Sequence, residues 1–165
     1  MEIRTEQPGE AAAIHRLTRE AFATMPFSNG SEAPIIDRLR EDGDLVLSLV
    51  AVDGDAIVGH IAFSPVTVGE SDAGWYGLGP VSVRPDLQRR GIGSHLVTEG
   101  LDRIRKMGAK GCVLVGDPAY YSRFGFRSDG DLTYADVPAE YVQWMAFGTH
   151  RARGALKYAP AFESA

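Results

Sequence analysis

Apolar residues along this chain recur with two periods, and the order in which the periods alternate predicts its elements. In residues 11–23, Ile14, Leu17, Ala21 and Phe22 are spaced near three and four residues apart, which puts them on one face of a helix. Ile35, Ile36 and Leu39 predict a second, shorter helix ending near Gly43. The Pro, Gly, Ser and Asn content of 24–34 marks the loop between them. The period then shortens. The runs "LVLSLVAV" (45–52) and "AIVGHIAFSPVTV" (56–68) flank Asp53-Gly54-Asp55, and Asp-Gly between β-branched runs predicts a hairpin. A turn over 71–74 then predicts a third antiparallel strand at 75–83.

The helical period returns over 91–107, where Ile92, Leu96, Val97, Leu101 and Ile104 share a face. Arg103, Arg105 and Lys106 suit the negative end of that helix, and Gly108 suits its exit. "CVLV" (112–115) is a short apolar strand, so strand, helix and strand predict a right-handed crossover with the two strands parallel. Pro118 opens and Gly125 closes a short helix over 117–126. The remainder predicts two strands, within "YVQWMAF" and "GALKYAPAF", joined by a basic loop at 149–153, and residues 1–4 predict an edge strand. There are no repeats and no linker, and 165 residues predict a single domain.

Two local features suggest chemistry. The strand at 75–83 contains Gly77, Gly79 and Pro80, which disturb a ladder and mark bulges or close backbone approach. Directly after it comes "SVRPDLQRRGIGSHL", an Arg-Arg-Gly-Ile-Gly entrance to a helix. The first amides of a helix have no internal partner and carry partial positive charge, and glycine lets a ligand approach them. The loop therefore reads as a phosphate cradle or, with equal weight on its residues alone, as a tight turn whose glycines only fit the bend. A P-loop is excluded because Ser94-His95 stands where Gly-Lys-Ser/Thr would be needed, and a Rossmann fingerprint because Leu96 replaces its third glycine.

Composition narrows the partners. A net charge of −5 argues against broad binding to nucleic acid or to an anionic membrane, but not against a small anion beside Arg84, Arg89 and Arg90. Cys112 is the only cysteine, so no intrachain disulfide is available, and its apolar surroundings predict a core role. The four histidines are scattered, which predicts no metal site. The acidic amino-terminal segment lacks a signal-peptide pattern and no apolar run approaches a membrane span, so a cytoplasmic protein is expected.

The segment Gln88-Arg89-Arg90-Gly91-Ile92-Gly93 resembles the pyrophosphate loop of the GNAT superfamily of N-acetyltransferases. "LGPVSVRPDLQRRGIGSHL" is similar to that family's fourth strand and third helix, and "AYYSRFGF" looks like its Tyr-x-x-x-Gly-Phe segment after strand five. "DGDAIVGHIAFSPV" and "LKYAPAF" further resemble the bacterial YhbS-like subgroup, so the likeness covers nearly the whole chain. It implies an α/β fold of the α+β type: a mixed, mostly antiparallel sheet flanked by helices, with parallel strands four and five splayed apart. It also implies acetyl-CoA as co-substrate. Val81, Ser82 and Val83 would pair with pantetheine, and Gln88, Arg89, Arg90, Gly91, Ile92, Gly93 and Ser94 would hold the pyrophosphate.

The implied reaction moves an acetyl group from the thioester directly to a primary amine. Tyr121, four residues before Gly125, would be the acid that protonates the thiolate, and the Val81 amide would serve the oxyanion. On its residues alone Tyr121 reads as a packing aromatic. No carboxylate or histidine lies in 75–83, so the base is a water chain or another residue, with Glu32, His60 and Glu70 as candidates. The segments 25–31 and 141–151, with Met25, Phe27, Tyr141, Trp144 and Met145, read equally as acceptor pocket and as core. The acceptor is expected to be an amine of a small molecule, a peptide or a protein, and homodimers are a family tendency. The alternative function is a non-catalytic acyl-CoA sensor on the same fold.

Overall fold

The computed structural model describes residues 1–70 and 72–163. In chain order the elements are β1 (Glu2–Thr5), α1 (Ala11–Phe22), α2 (Glu32–Asp42), β2 (Leu47–Asp53), β3 (Ala56–Val68), β4 (Asp72–Val83), α3 (Ile92–Lys106), β5 (Gly111–Val115), α4 (Pro118–Tyr121), β6 (Leu132–Thr133), β7 (Val142–Ala146), β8 (Gly154–Lys157) and α5 (Pro160–Glu163). The main sheet runs β1-β2-β3-β4-β5-β7, with β8 pairing the far end of β3 and also β6. All neighbours along the main path are antiparallel except β4 and β5, which are parallel as the crossover requires. The expected fold class is therefore the observed one.

Period-2 burial explains the layering. From β3, Ile61 and Phe63 face α3 and pack with Leu96, Val97, Leu101 and Ile104. Ala62 faces the other side and packs with Ile14 of α1 and Ile36 of α2. Helices thus cover both faces of the sheet. Gly100 lets α3 lie close, because any Cβ there would collide with the Phe63 ring. Gly100→Ala is expected to destabilise the fold by about 1–3 kcal/mol through overpacking, read as a lower urea midpoint with unchanged slope.

Three boundaries differ from expectation. β4 begins at Asp72 and the chain reverses at Gly69 and Glu70, while Ser71, in the expected turn, lies outside the described residues. The closing segment is a strand only as far as Lys157. Pro160 then starts one helical turn, whose Ala161 packs on Ile35 and Leu39 of α2. The two-residue β6 was not foreseen, being too short to show a period.

Candidate functional site

The site is set by where β4 and β5 stop pairing. Trp75, Tyr76 and Gly77 pair with Gly111, Cys112 and Val113, and the ladder ends there. On its other edge β4 shifts register against β3: Phe63 pairs with Leu78, but Ile61 pairs with Val81. The extra residue falls at Gly79-Pro80, where Gly79 has φ +126°. A bulge bends its strand away from a neighbour, and β5 turns instead to β7, pairing through Val115 with Val142.

The remainder of β4 therefore presents an open edge. The Arg84 amide donates to Val58 of β3 at 2.8 Å. Because alternate residues of a strand aim their amides at opposite neighbours, Val81 and Val83 direct theirs into the opening. Gln88 Nε2 donates to the Val83 carbonyl at 3.1 Å and fixes the end of this edge.

Beyond it, α3 starts without a cap. Gly91, at φ +86°, supplies no capping side chain, and the first turn holds no acid. The His95 amide is the first to find a helical partner, Gly91 O at 3.0 Å. The Ile92, Gly93 and Ser94 amides are left facing outward with the positive end of the dipole. A capping side chain would add about 0.5–2 kcal/mol. The helix forms without one because its buried face, with about 1.5–3 kcal/mol from each fully buried side chain, outweighs that loss.

These parts enclose a cleft of about 560 Å³ lined by Val81, Val83, Leu87, Gln88, Arg89, Gly91, Ile92, Gly93, Ser94, Met25, Tyr120, Tyr121 and Arg123. Eight of the expected cofactor-contacting residues are among them. Ser82 and Arg90 are not. The Ser82 side chain is buried on the other face of the sheet, and Arg90 is exposed on the loop. Arg84 is engaged by Asp86 at 2.7 Å. Arg123 was not singled out in the sequence, although it sits inside "AYYSRFGF". Its guanidinium lies 4.4 Å from the Tyr120 ring centroid, and its Nε donates to Tyr120 O at 2.8 Å. Ser94 and Tyr120 hydroxyls are 3.0 Å apart, which ties α4 to the start of α3.

Tyr121 stands at the inner end of the cleft, edge-on to Phe126 and to Tyr120. Burial pushes its phenol up to about 12, with Tyr120 adding to the effect. The hydroxyl therefore keeps its proton across the physiological range. Burial likewise drives the Cys112 thiol upward, so Cys112 is a neutral core residue.

None of the candidate bases lines the cleft. Glu70 sits in the turn before β4, thirteen residues from Val83, and β4 runs along most of that separation, or roughly 35 Å of strand. Glu32 accepts from Ser28 at 2.6 Å. His60 is wholly buried behind the sheet, where Ser48 gives its proton to Glu6 at 2.6 Å and lies 2.8 Å from His60 Nε2. Arg40 holds both oxygens of Glu6 at 2.9 Å. Of the suggested acceptor residues, Met25 lines the cleft and Phe27 is exposed, but Trp144 is core, edge-on to Trp75 at 6.2 Å.

Burial lowers His60 from 6.5 to about 4, with Glu6 opposing and Arg40 reinforcing the shift. The unfolded chain thus binds a proton that the folded chain refuses between those values. Stability is expected to be full above pH 6.5 and to fall as pH drops toward 4, by about 3 kcal/mol. Glu6 is lowered from 4.5, its burial being outweighed by Arg40 and Ser48, so its own loss begins only below 4.5. Urea titrations between pH 7 and 4.5 should show the slope, and His60→Gln should flatten it.

A sheet opened at one parallel pair, with an uncapped helix end at its mouth, is a layout this chain shares with acyltransferases of the N-acetyltransferase kind. The chain belongs to the acetyltransferase (GNAT) family, whose model matches residues 11–126. It is 42% identical over 128 residues to the N-acetyltransferase YhbS of Escherichia coli K12, covering 77% of this chain and 74% of that protein. A GNAT-family acetyltransferase from Brucella melitensis, solved with acetyl-CoA, superposes with TM-score 0.88 at 46% identity, over 98% of this chain and 97% of that one. The Escherichia coli YhbS structure, solved with CoA, gives 0.89 at 35% identity, over 98% and 91%. Among the described residues no helix is long and apolar enough to cross a membrane, and no cluster of candidate metal ligands is present.

Proposed function

We propose that this chain transfers an acetyl group from acetyl-CoA directly to a primary amine, using the cleft between β4 and α3. The observation that carries the reading is the run of outward amides at Ile92, Gly93 and Ser94, continuous with the open edge at Val81 and Val83. A diphosphate suits the first and the amides of pantetheine suit the second. Arg89 and Arg123 add positive charge at the rim.

The acceptor nitrogen attacks the thioester carbon and the carbonyl pair moves onto oxygen. The Val81 amide, aimed into the opening, is a donor for that oxyanion. Collapse expels the thiolate, which takes the Tyr121 proton, and the phenolate is reprotonated from solvent. A phenol raised to about 12 is a weak acid in water, but desolvation raises the basicity of a buried thiolate as well. The two groups are therefore matched inside the cleft. The acceptor must arrive neutral, and its proton leaves to solvent, since no candidate base reaches the cleft.

The test is calorimetry with acetyl-CoA followed by an assay of free thiol across an amine panel. Binding with amine-dependent thiol release is the expected result. Binding without release from any amine would favour a sensor, and no binding would end the reading.

A further inference from the structure

On the face of the sheet opposite α3, Tyr158 follows β8 and crosses β4 at its last paired residue. Its Cε1 lies 2.9 Å from where a Cβ on Gly77 would stand, so its ring occupies the space that glycine leaves. Tyr134 and Phe162 hold the ring by edge-on and tilted contacts at 5.1 and 4.9 Å. The hydroxyl reaches toward β5. There the Gly116 amide donates to Tyr141 O at 3.0 Å, away from β4. By alternation the Val115 amide points the opposite way, into the gap where β4 has withdrawn. That direction faces the Tyr158 phenol, which burial drives well up, with the Val115 amide opposing the rise only in part. Tyr121 lines the cleft on the α3 side, and the Tyr158 ring covers Gly77 of β4 from the other face.

We infer that the Tyr158 hydroxyl, facing the Val115 amide across the gap, is a catalytic hydrogen-bond donor to the acyl carbonyl. The inference rests on the acetyl-CoA reading. An oxygen that accepts from a backbone amide has its own proton left to give, and the gap is where a thioester paired along Val83 and Val81 would end. As the amine adds, the carbonyl oxygen becomes an oxyanion, and a fixed donor strengthens its bond with the developing charge. Tyr158 keeps its proton throughout, while the thiolate takes its proton from Tyr121. The two tyrosines therefore divide the work, one serving oxygen and the other sulfur.

A donor to the carbonyl leaves a mark that a merely structural tyrosine does not. Difference infrared spectroscopy of carbonyl-labelled acetyl-CoA bound to the full chain reads that bond with no acceptor present. Tyr158→Phe is expected to move the bound carbonyl band to higher wavenumber while affinity for CoA, which lacks the acyl group, stays unchanged. Should the phenylalanine protein fail to fold, difluorotyrosine at the same position keeps the shape and donates more strongly, so the band should move to lower wavenumber. A bound band indifferent to either replacement overturns this inference alone. No bound band in the unaltered protein overturns the acetyl-CoA reading beneath it.

Discussion

Tyr121→Phe is expected to lower the rate of acyl transfer by about 10²–10⁴-fold, the range for loss of a general acid, with acetyl-CoA affinity unchanged. The ring makes the packing contacts, with Phe124, Phe126 and Tyr120 around it, and these survive the substitution. Only the hydroxyl is lost, and it acts on sulfur as the carbon–sulfur bond breaks. Lower turnover at constant binding marks an interaction made in the transition state. The pH profile offers a second check. Because the phenol titrates only at about 12, wild-type activity should rise as the acceptor amine loses its proton and should show no alkaline fall from Tyr121 below that value. Transfer measured before the steady state avoids masking by product release. An unchanged transfer rate in the phenylalanine variant would return Tyr121 to packing.

Gly93→Val is expected to weaken acetyl-CoA binding about 10- to 100-fold, with little change in folding stability. A charge-assisted hydrogen bond to a phosphate contributes about 1.5–3 kcal/mol, and crowding the cradle forfeits at least one. Gly93 is the discriminating position. Its φ is ordinary, and a Cβ there meets Tyr120 Oη at 3.6 Å and Val83 Cγ2 at 3.7 Å, both normal contacts, so the fold accepts a side chain. That side chain lies between the two cleft walls, where the ligand must pass. At Gly91 the space is open but φ is +86°, so valine would strain the backbone and confuse lost binding with lost structure. Calorimetry on Gly93→Val, beside a urea titration, separates the two. Wild-type affinity in a folded variant would mean that the amides of α3 hold nothing.

What was readable in advance follows from the range of the interactions concerned. Both helical faces, the Asp53-Gly54-Asp55 hairpin and the β4–α3–β5 crossover are dictated by neighbours in sequence, and period alone reveals them. The cradle was legible because its chemistry sits in one continuous stretch from Val81 to Ser94. Ser82 stands apart from Val81 and Val83 because consecutive strand residues alternate, which sends its side chain to the other face and its amide toward β3, and a segment quoted as a continuous stretch does not show that alternation. Trp144 read equally as pocket or core because what buries it, including Val113 opposite it and Trp75 edge-on to it, is distant in sequence. Tyr158 was invisible as chemistry. Its place depends on Gly77 and Val115, which lie far from it along the chain and have no reactive groups of their own.

The uncapped start of α3 has a consequence for how such a site can be probed. On the proposed reading its working parts are main-chain amides, common to every residue except proline, so truncating the side chains of this turn leaves them in place. An alanine scan through Arg90, Ile92 and Ser94 would report surface charge, core packing and a hydroxyl contact, and would pass over the binding groups themselves. The informative changes add atoms or delete the amide: a branched residue at Gly93, or an ester bond in place of a single peptide link. Over evolutionary time the same property lets the letters around the two glycines drift while the ligand's grip persists.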